Sequence, residues 1–373
     1  MMKQLLLVLA FLFCLFSCQR KEKTDVLRVE ILDDALDTYS FHDFFEKVEI
    51  IILEDSCLTA NGQFSEPQYL SVWNGGFIIL DERDGTSYSF DPEGLYLGEI
   101  SRRGRAENEY SLAYGVDVNE SSGIMTILDP RSTLYRYGIN GEFVGKEHIE
   151  GVVAVHGFCE QKDAIVLFSA SSKENLSKWE NGELSNIKYK APFDLKNQFN
   201  APYPFIEHEG NMYYYEGATG KIFALNLTDN MAKAVYSWDF GEHTAKISKL
   251  KKNREDFFAT LKGDFYNCIY PFLNLTWTES VMVANVLYHN SEHSLFYDLS
   301  TGKSCLVHYF TEGVRFKFMT GYNNALYLLT DPESLDEFVC SEILDEENKA
   351  RLKKIYEHLA NPIILKYSGL RLP

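Results

Sequence analysis

An all-β fold, a six-bladed β-propeller of four-stranded antiparallel blades, follows from three observations in the 373-residue sequence. Short strand-like runs separated by Gly, Asn and Asp turns come in groups of four. The groups recur at intervals of roughly 40 to 48 residues, and one strand-like run near each end lacks a blade of its own. A single array of this kind accounts for a length that would otherwise divide into two or three domains. With 45% hydrophobic and 14% aromatic residues the chain can pack a core, which excludes a disordered chain. The 54 acidic against 36 basic side chains give a formal charge of -18. That balance argues against nucleic acid as a partner, because affinity for phosphates comes from clustered Lys and Arg.

The chain opens with Lys3 and an unbroken apolar run from Leu5 to Phe16, the length of a signal-peptide core and too short to cross a bilayer permanently. Leu15-Phe16-Ser17-Cys18 resembles the bacterial lipobox, in which a small residue precedes the Cys that is lipidated and becomes N-terminal. Polar Gln19-Arg20-Lys21-Glu22-Lys23 follows directly. Residues 1–17 are therefore expected to be a lipoprotein signal peptide, Cys18 the lipid attachment site, residues 18–44 a tether and residues 45–373 the propeller. Each buried acyl methylene contributes about 0.8 kcal/mol, so several chains on Cys18 would make the membrane a permanent partner. Of the seven Cys, Cys14 leaves with the signal and Cys18 is the anchor, which leaves Cys57, Cys159, Cys268, Cys305 and Cys340. They are odd in number and contain no C-x-x-C pair. Small buried side chains are expected rather than a zinc site or a disulfide framework, with one bridge left open.

In the first blade, Tyr69 to Trp73, Phe77 to Leu80, Ser87 to Phe90 and Leu95 to Ile100 are separated by Asn74-Gly75-Gly76, Arg83-Asp84-Gly85 and Asp91-Pro92-Glu93-Gly94, all hairpin turn signals. The same order recurs in Gly115 to Val118, Ile124 to Leu128, Ser132 to Tyr137 and Glu142 to His148. Later units drift. They show as Ala164 to Ser169 with Asn181-Gly182-Glu183, Met212 to Glu216 with Lys221 to Asn226, Val281 to Tyr288 with Ser294 to Tyr297, and Val314 to Met319 with Ala325 to Thr330. A lone meander cannot bury both faces, whereas blades stacked around an axis cover one another. Tyr88, Phe90, Tyr135, Tyr137, Phe223 and Tyr297 are accordingly expected between blades rather than on a sugar-stacking platform.

Two segments interrupt the strands. Between His243 and Tyr270, Ile247, Leu250, Phe257, Phe258, Leu261 and Phe265 fall near helical spacing, which predicts a helical insertion over about 243–270. A second helix is expected over about 345–359, with Leu352, Ile355, Tyr356 and Leu359 on one face and Asn361-Pro362 as its stop. The unpartnered runs Val48 to Leu53 and Pro362 to Tyr367 are expected to share the last blade and close the ring.

The lipobox at Cys18, the strand Val48 to Glu54, the run Ser101-Arg102-Arg103-Gly104-Arg105-Ala106-Glu107-Asn108-Glu109-Tyr110 and the closing strand after Asn361-Pro362 together resemble the six-bladed β-propeller lipoproteins of Bacteroidetes-type bacteria. Members typically carry a Gly-x-Gly-Pro-Gly-Glu-Tyr-like run after the first blade. Here Arg103-Gly104, Glu109 and Tyr110 are kept, while Arg105, Ala106 and Glu107 replace the inner Gly-Pro. The resemblance covers roughly residues 45 to 370 and implies the fold and an anchor in the outer membrane; it implies no reaction. The basic cluster after Cys18 lacks the acidic run that resembles a surface-export signal in such bacteria, so the anchor is expected to face the periplasm.

No Gly-x-Ser-x-Gly elbow, His-Glu-x-x-His pair, Walker loop or dinucleotide fingerprint occurs, and no cofactor or metal is expected. Asp81-Glu82-Arg83-Asp84-Gly85 lacks the spacing of a calcium loop and reads as a hairpin. His289 and His293 are four apart around an expected turn, a poor metal pair. The candidate ligand-binding residues are Arg102, Arg103, Arg105, Glu107, Glu109 and Tyr110, in a connection between blades, where function concentrates. The Arg could hold an anionic group bidentately; alternatively Glu107 and Glu109 pair with them and the loop staples blade one to blade two. The expected function is a membrane-anchored binding or interaction scaffold for a glycan, a peptide or an envelope protein. The alternative is a glycan-active lyase or hydrolase, or a lactonase-like enzyme, with carboxylates in the central channel.

Overall fold

The structure, a computed structural model, describes residues 24–373 apart from 32–36, 55–66, 120, 153–154, 156, 162–163, 170–174, 189–203, 247–258, 260–261, 331–334 and 357–361. Cys18, Cys57 and most of the helical insertion expected at 243–270 lie outside the described residues. Two strands, β1 (Asp25–Arg28) and β2 (Lys47–Ile52), precede the blades. Blade one is β3 (Pro67–Trp73), β4 (Gly76–Asp81), β5 (Thr86–Phe90) and β6 (Tyr96–Arg102), and blade two is β7 (Gly115–Asn119), β8 (Ile124–Leu128), β9 (Thr133–Gly138) and β10 (Phe143–His148). Blade three is β11 (Gly157–Gln161), β12 (Ala164–Phe168), β13 (Leu176–Glu180) and β14 (Glu183–Asn186). Blade four is β15 (Phe205–His208), β16 (Asn211–Tyr215), β17 (Ile222–Asn226) and β18 (Met231–Asp239), and blade five is β19 (Phe272–Trp277), β20 (Val281–Tyr288), β21 (Ser291–Asp298) and β22 (Ser304–Val307). Blade six holds β23 (Thr320–Tyr322), β24 (Ala325–Thr330) and β25 (Ile363–Ser368). The six antiparallel sheets form a ring, as the sequence predicts, and the first strand of each blade faces the axis.

Turn chemistry sets the strand register. Asn74 and Gly75 hold φ of 49° and 83° between β3 and β4, the two-residue hairpin geometry that Asn-Gly favours. Gly94, at φ 89°, meets a second demand, because an added Cβ would lie 2.3 Å from the carbonyl oxygen of Ile52. That close approach lets Glu54 N donate to Gly94 O at 2.9 Å, which seats a turn of blade one on the strand that closes the ring.

Closure is by hydrogen bonds. β2 pairs antiparallel with β25 from Lys47↔Ser368 to Ile52↔Ile363, giving the last blade the order β2-β25-β24-β23. Between blades five and six, Phe41, Phe44, Phe45, Phe296, Phe310, Phe316 and Tyr367 pack into a single buried cluster. Helix α1 (Phe41–Phe44) feeds it, started by a capping box in which Ser40 accepts from His42 N and Asp43 accepts from Ser40 N. Of the aromatics expected between blades, Tyr88, Phe90, Tyr137, Phe223 and Tyr297 are buried and Tyr135 is partly so.

The folded body starts earlier than residue 45. β1 adds to blade four as a fifth strand, parallel to β18 in the register Asp25↔Tyr236 to Arg28↔Asp239. Leu27 and Val29 turn into the core beside Trp238, and that alternation was hidden inside an otherwise polar segment. The helix expected at 345–359 is α3 (Glu346–Tyr356), preceded by the short α2 (Asp336–Cys340). Cys159 and Cys305 are buried free thiols, whereas Cys268 is partly exposed and Cys340 exposed, so burial holds for only two of the four described. Among the described residues no helix is long and apolar enough to cross a membrane.

Candidate functional site

The connection from β6 to β7 carries the sequence-predicted site residues, and most of its polar groups are engaged locally. Glu109 does not pair with an Arg side chain. One of its carboxylate oxygens accepts the backbone N–H of Arg105 at 2.7 Å and of Ala106 at 2.9 Å, and these bonds hold its pKa below the usual carboxylate range. Gly104 makes room, since a Cβ there would overlap that carboxylate. Tyr110 is fully buried. Its hydroxyl donates to Gly85 O at 2.7 Å and lies 3.3 Å from Ser101 Oγ, and burial pushes its pKa up to about 12. From blade two, Tyr137 donates to Asn108 O at 2.8 Å and Lys146 to Glu107 O at 3.1 Å. The connection thereby staples blade one to blade two.

The Arg side chains divide. Arg102 turns back to Glu99 at 2.7 Å and Arg103 donates to Arg83 O at 3.0 Å. Arg103 and Arg105 line a cleft of about 620 Å³ with Arg131, which sequence reading did not single out. Arg131 comes from the turn between β8 and β9, where Asp129 accepts from Arg131 N at 2.8 Å and from Ser111 Oγ at 3.0 Å.

A second candidate lies on the axis. The first strands enclose a cavity of about 220 Å³ lined by all six blades, with Ser71, Asp117, Glu160, Glu207, Asn274 and Thr320 among its polar wall. Asp117 on β7 accepts the backbone N–H of Glu160 on β11 at 2.6 Å. Glu160 accepts from Thr126 Oγ1 at 2.6 Å and from Arg136 Nε at 2.9 Å. The other end of the Arg136 fork reaches Glu147 at 3.1 Å, and Trp179 Nε1 donates to Glu147 at 2.6 Å. A polar chain thus runs from the channel wall outward along the seam of blades two and three. Burial, then the charges of Glu160 and Glu207, push the Asp117 carboxyl up to about 7. Near neutral pH this carboxyl can both donate and accept a proton, which neither an exposed Asp nor a salt-bridged one does.

The remaining sequence candidates are structural. Asp81 accepts from Arg83 N and Asp84 N at 3.1 and 3.2 Å, closing a hairpin turn. His289 sits at φ 51° in the β20–β21 turn, while His293 is buried and stacks on His308 at 4.5 Å. Among the described residues no group of three or more His, Cys, Asp or Glu could hold a metal ion.

Residues 27–368 match a domain of unknown function, DUF4934. The chain belongs to that family. The DUF4934 span begins within β1 and ends at the last residue of β25, so it takes in the N-terminal strands as well as the blades. Among solved structures, this DUF4934 chain is similar to a protein of Bacteroides fragilis described as exported, with TM-score 0.71 and 15% identity over 93% of this chain and 100% of that one. It is also similar to a member of the DUF4221 family from Bacteroides vulgatus, with TM-score 0.52 and 10% identity over 88% of this chain and 98% of that one. At such identities the likeness is one of fold. No curated protein matches the sequence.

Proposed function

We propose that this protein is an extracytoplasmic lipoprotein, anchored through Cys18 to the periplasmic face of the outer membrane, whose propeller binds a small polar ligand in its central channel. The anchor rests on the lipobox and its polar follow-on, and the likeness to a protein of the same fold that is described as exported supports the compartment. One observation carries the ligand reading: Asp117 faces a polar cavity from the wall with a carboxyl poised near pH 7. Such a group accepts from hydroxyl or ammonium donors when ionised and donates to carbonyls when protonated. A glycan unit or a peptide terminus offers those partners. The cleft of Arg103, Arg105 and Arg131 lies at the end of the ring where the first strands begin, and there it would take an anionic substituent of the same ligand.

The test is calorimetry of the mature chain against glycan fragments and short peptides. Asp117→Asn should weaken the best binder at least about tenfold, the equivalent of about 1.4 kcal/mol. Unchanged affinity in that variant would remove the channel from the reading. A second reading has one specific support, since a carboxyl near pH 7 beside an Arg-bound Glu160 is also the arrangement of a general acid and its partner. Steady turnover of a glycan that Asp117→Asn abolishes would select it.

A further inference from the structure

We propose that the rim of blade four is the face this protein presents to the phospholipid bilayer, with β1 acting as a short strap that holds it there. The inference rests on the lipid-anchoring reading above and goes beyond it by fixing the orientation. Cys18 precedes Asp25, the first residue of β1, by seven positions. Whatever path those residues take, a chain reaches at most about 3.6 Å per residue, so the acylated end stays within about 25 Å of Asp25. Asp25 is not a loose end. β1 is hydrogen-bonded along β18, Thr24 Oγ1 donates to Ala234 O at 3.2 Å, and Val29 N donates to Asp239 O at 2.9 Å. Leu27 and Val29 are buried beneath the strand. The strap cannot swing away from blade four without losing both the ladder and that packing.

β1 lies along the second half of β18, where Asp25 stands opposite Tyr236, five residues beyond Met231. Among the described residues seven large apolar side chains are exposed; Val26 at 48% and Met231 at 46% lie on these outer strands, while Leu95, Leu97 and Val144 on blades one and two are more exposed. Lys188 bridges to Met231, and Lys233 follows two residues later on the same strand; Asp229 lies in the adjoining turn. Exposed apolar side chains flanked by Lys suit the headgroup boundary, where a methylene stem lies in apolar surroundings and the ammonium meets phosphate. In a six-blade ring the blade opposite is blade one, so the Arg103–Arg105–Arg131 cleft between blades one and two is carried on the side away from the lipid.

The experiment uses the full-length lipidated chain in vesicles of phosphatidylethanolamine and phosphatidylglycerol containing bromolipid. With Cys57, Cys268 and Cys340 replaced by Ser, a fluorophore is placed by Met231→Cys on blade four or by Leu97→Cys on blade one. Quenching at position 231 should exceed that at position 97 several-fold, and a 20-residue Gly-Ser spacer inserted after Lys23 should abolish the contrast. Equal quenching at both positions in a chain that carries radiolabelled palmitate would overturn the orientation while leaving the anchor intact. The same contrast persisting with the spacer would overturn the strap as its cause. Failure of palmitate to label the chain would overturn the anchor, and the orientation with it.

Discussion

The Arg102–Tyr110 connection and the channel wall around Asp117 both join neighbouring blades, yet they draw on very different lengths of chain. In the connection, Glu109 satisfies amides three and four residues away and Tyr110 fills a buried hole beneath its own loop. In the wall, Asp117 meets an amide 43 residues along the chain, and Glu160 is held by an Arg from the previous blade. Local satisfaction leaves each group in its ordinary or a more stabilised charge state, as the lowered Glu109 shows. At Asp117 burial, and after it the charges of Glu160 and Glu207 from the neighbouring blades, instead push the carboxyl up to about 7. The difference teaches that unusual acid chemistry in a repeat fold collects where equivalent strands meet on the axis.

The sharpest way to break that contrast is at Tyr110. Tyr110→Ala should cost about 3–5 kcal/mol in urea unfolding, through the cavity and the lost bond to Gly85 O; a loss under about 1 kcal/mol would mean the connection is no staple. Next comes Arg136→Ala, which strands Glu160 and Glu147 without their shared partner. Arg136 is about one-fifth exposed, so the cost should fall to about 1–3 kcal/mol rather than the full penalty of a buried pair. A value near zero would show that the wall is wet enough to need no pairing.

Acidity sharpens the comparison further. Burial pushes Asp117 up to about 7 in the fold against about 3.9 unfolded, so its stabilisation is fully present below about 3.9 and is lost as pH rises to 7. His293 is lowered to about 4, first by burial, against about 6.5 unfolded, so its contribution is present above 6.5 and lost as pH falls toward 4. The two slopes oppose between about pH 4 and 6.5. Asp117→Asn should leave the His293 slope uncovered, and the stability of that variant relative to the parent should grow with pH by at most about 1.4 kcal/mol per unit between 4 and 7. Parallel profiles in paired urea titrations would place Asp117 in ordinary solvent. The smallest effect belongs to the exposed guanidiniums. Arg105→Ala and Arg131→Ala should change stability by less than about 0.5 kcal/mol while weakening any anionic ligand, and a stability loss beyond that would return them to the staple.

The blade repeat was legible because Asn-Gly and Asp-Gly turns write strand boundaries directly into the chain, and the last blade because Val48–Leu53 and the segment after Pro362 had no other partner. β1 was not, since four residues that alternate Val26, Leu27 and Arg28 beside a polar leader carry too little period to mark a strand, and only the edge of β18 makes them one. The Arg connection was conspicuous in composition, but spacing could not show that Glu109 turns to amides rather than guanidiniums. Asp117, Glu160 and Glu207 each sit singly within an unremarkable strand. Their only signal was the shared place on the first strand of successive blades, which drift in repeat length blurred.

The pairing of β2 with β25 sets a timetable for biosynthesis. Lys47 emerges from the ribosome more than 300 residues before Ser368, its ladder partner. Until then Ile50, Ile51 and Ile52 have no sheet to join, so the ring cannot be finished during synthesis and an exposed, aggregation-prone strand must be kept extended. A chain interrupted anywhere before its final strand therefore yields an open array with an adhesive edge, which favours chaperone escort until the last few residues arrive.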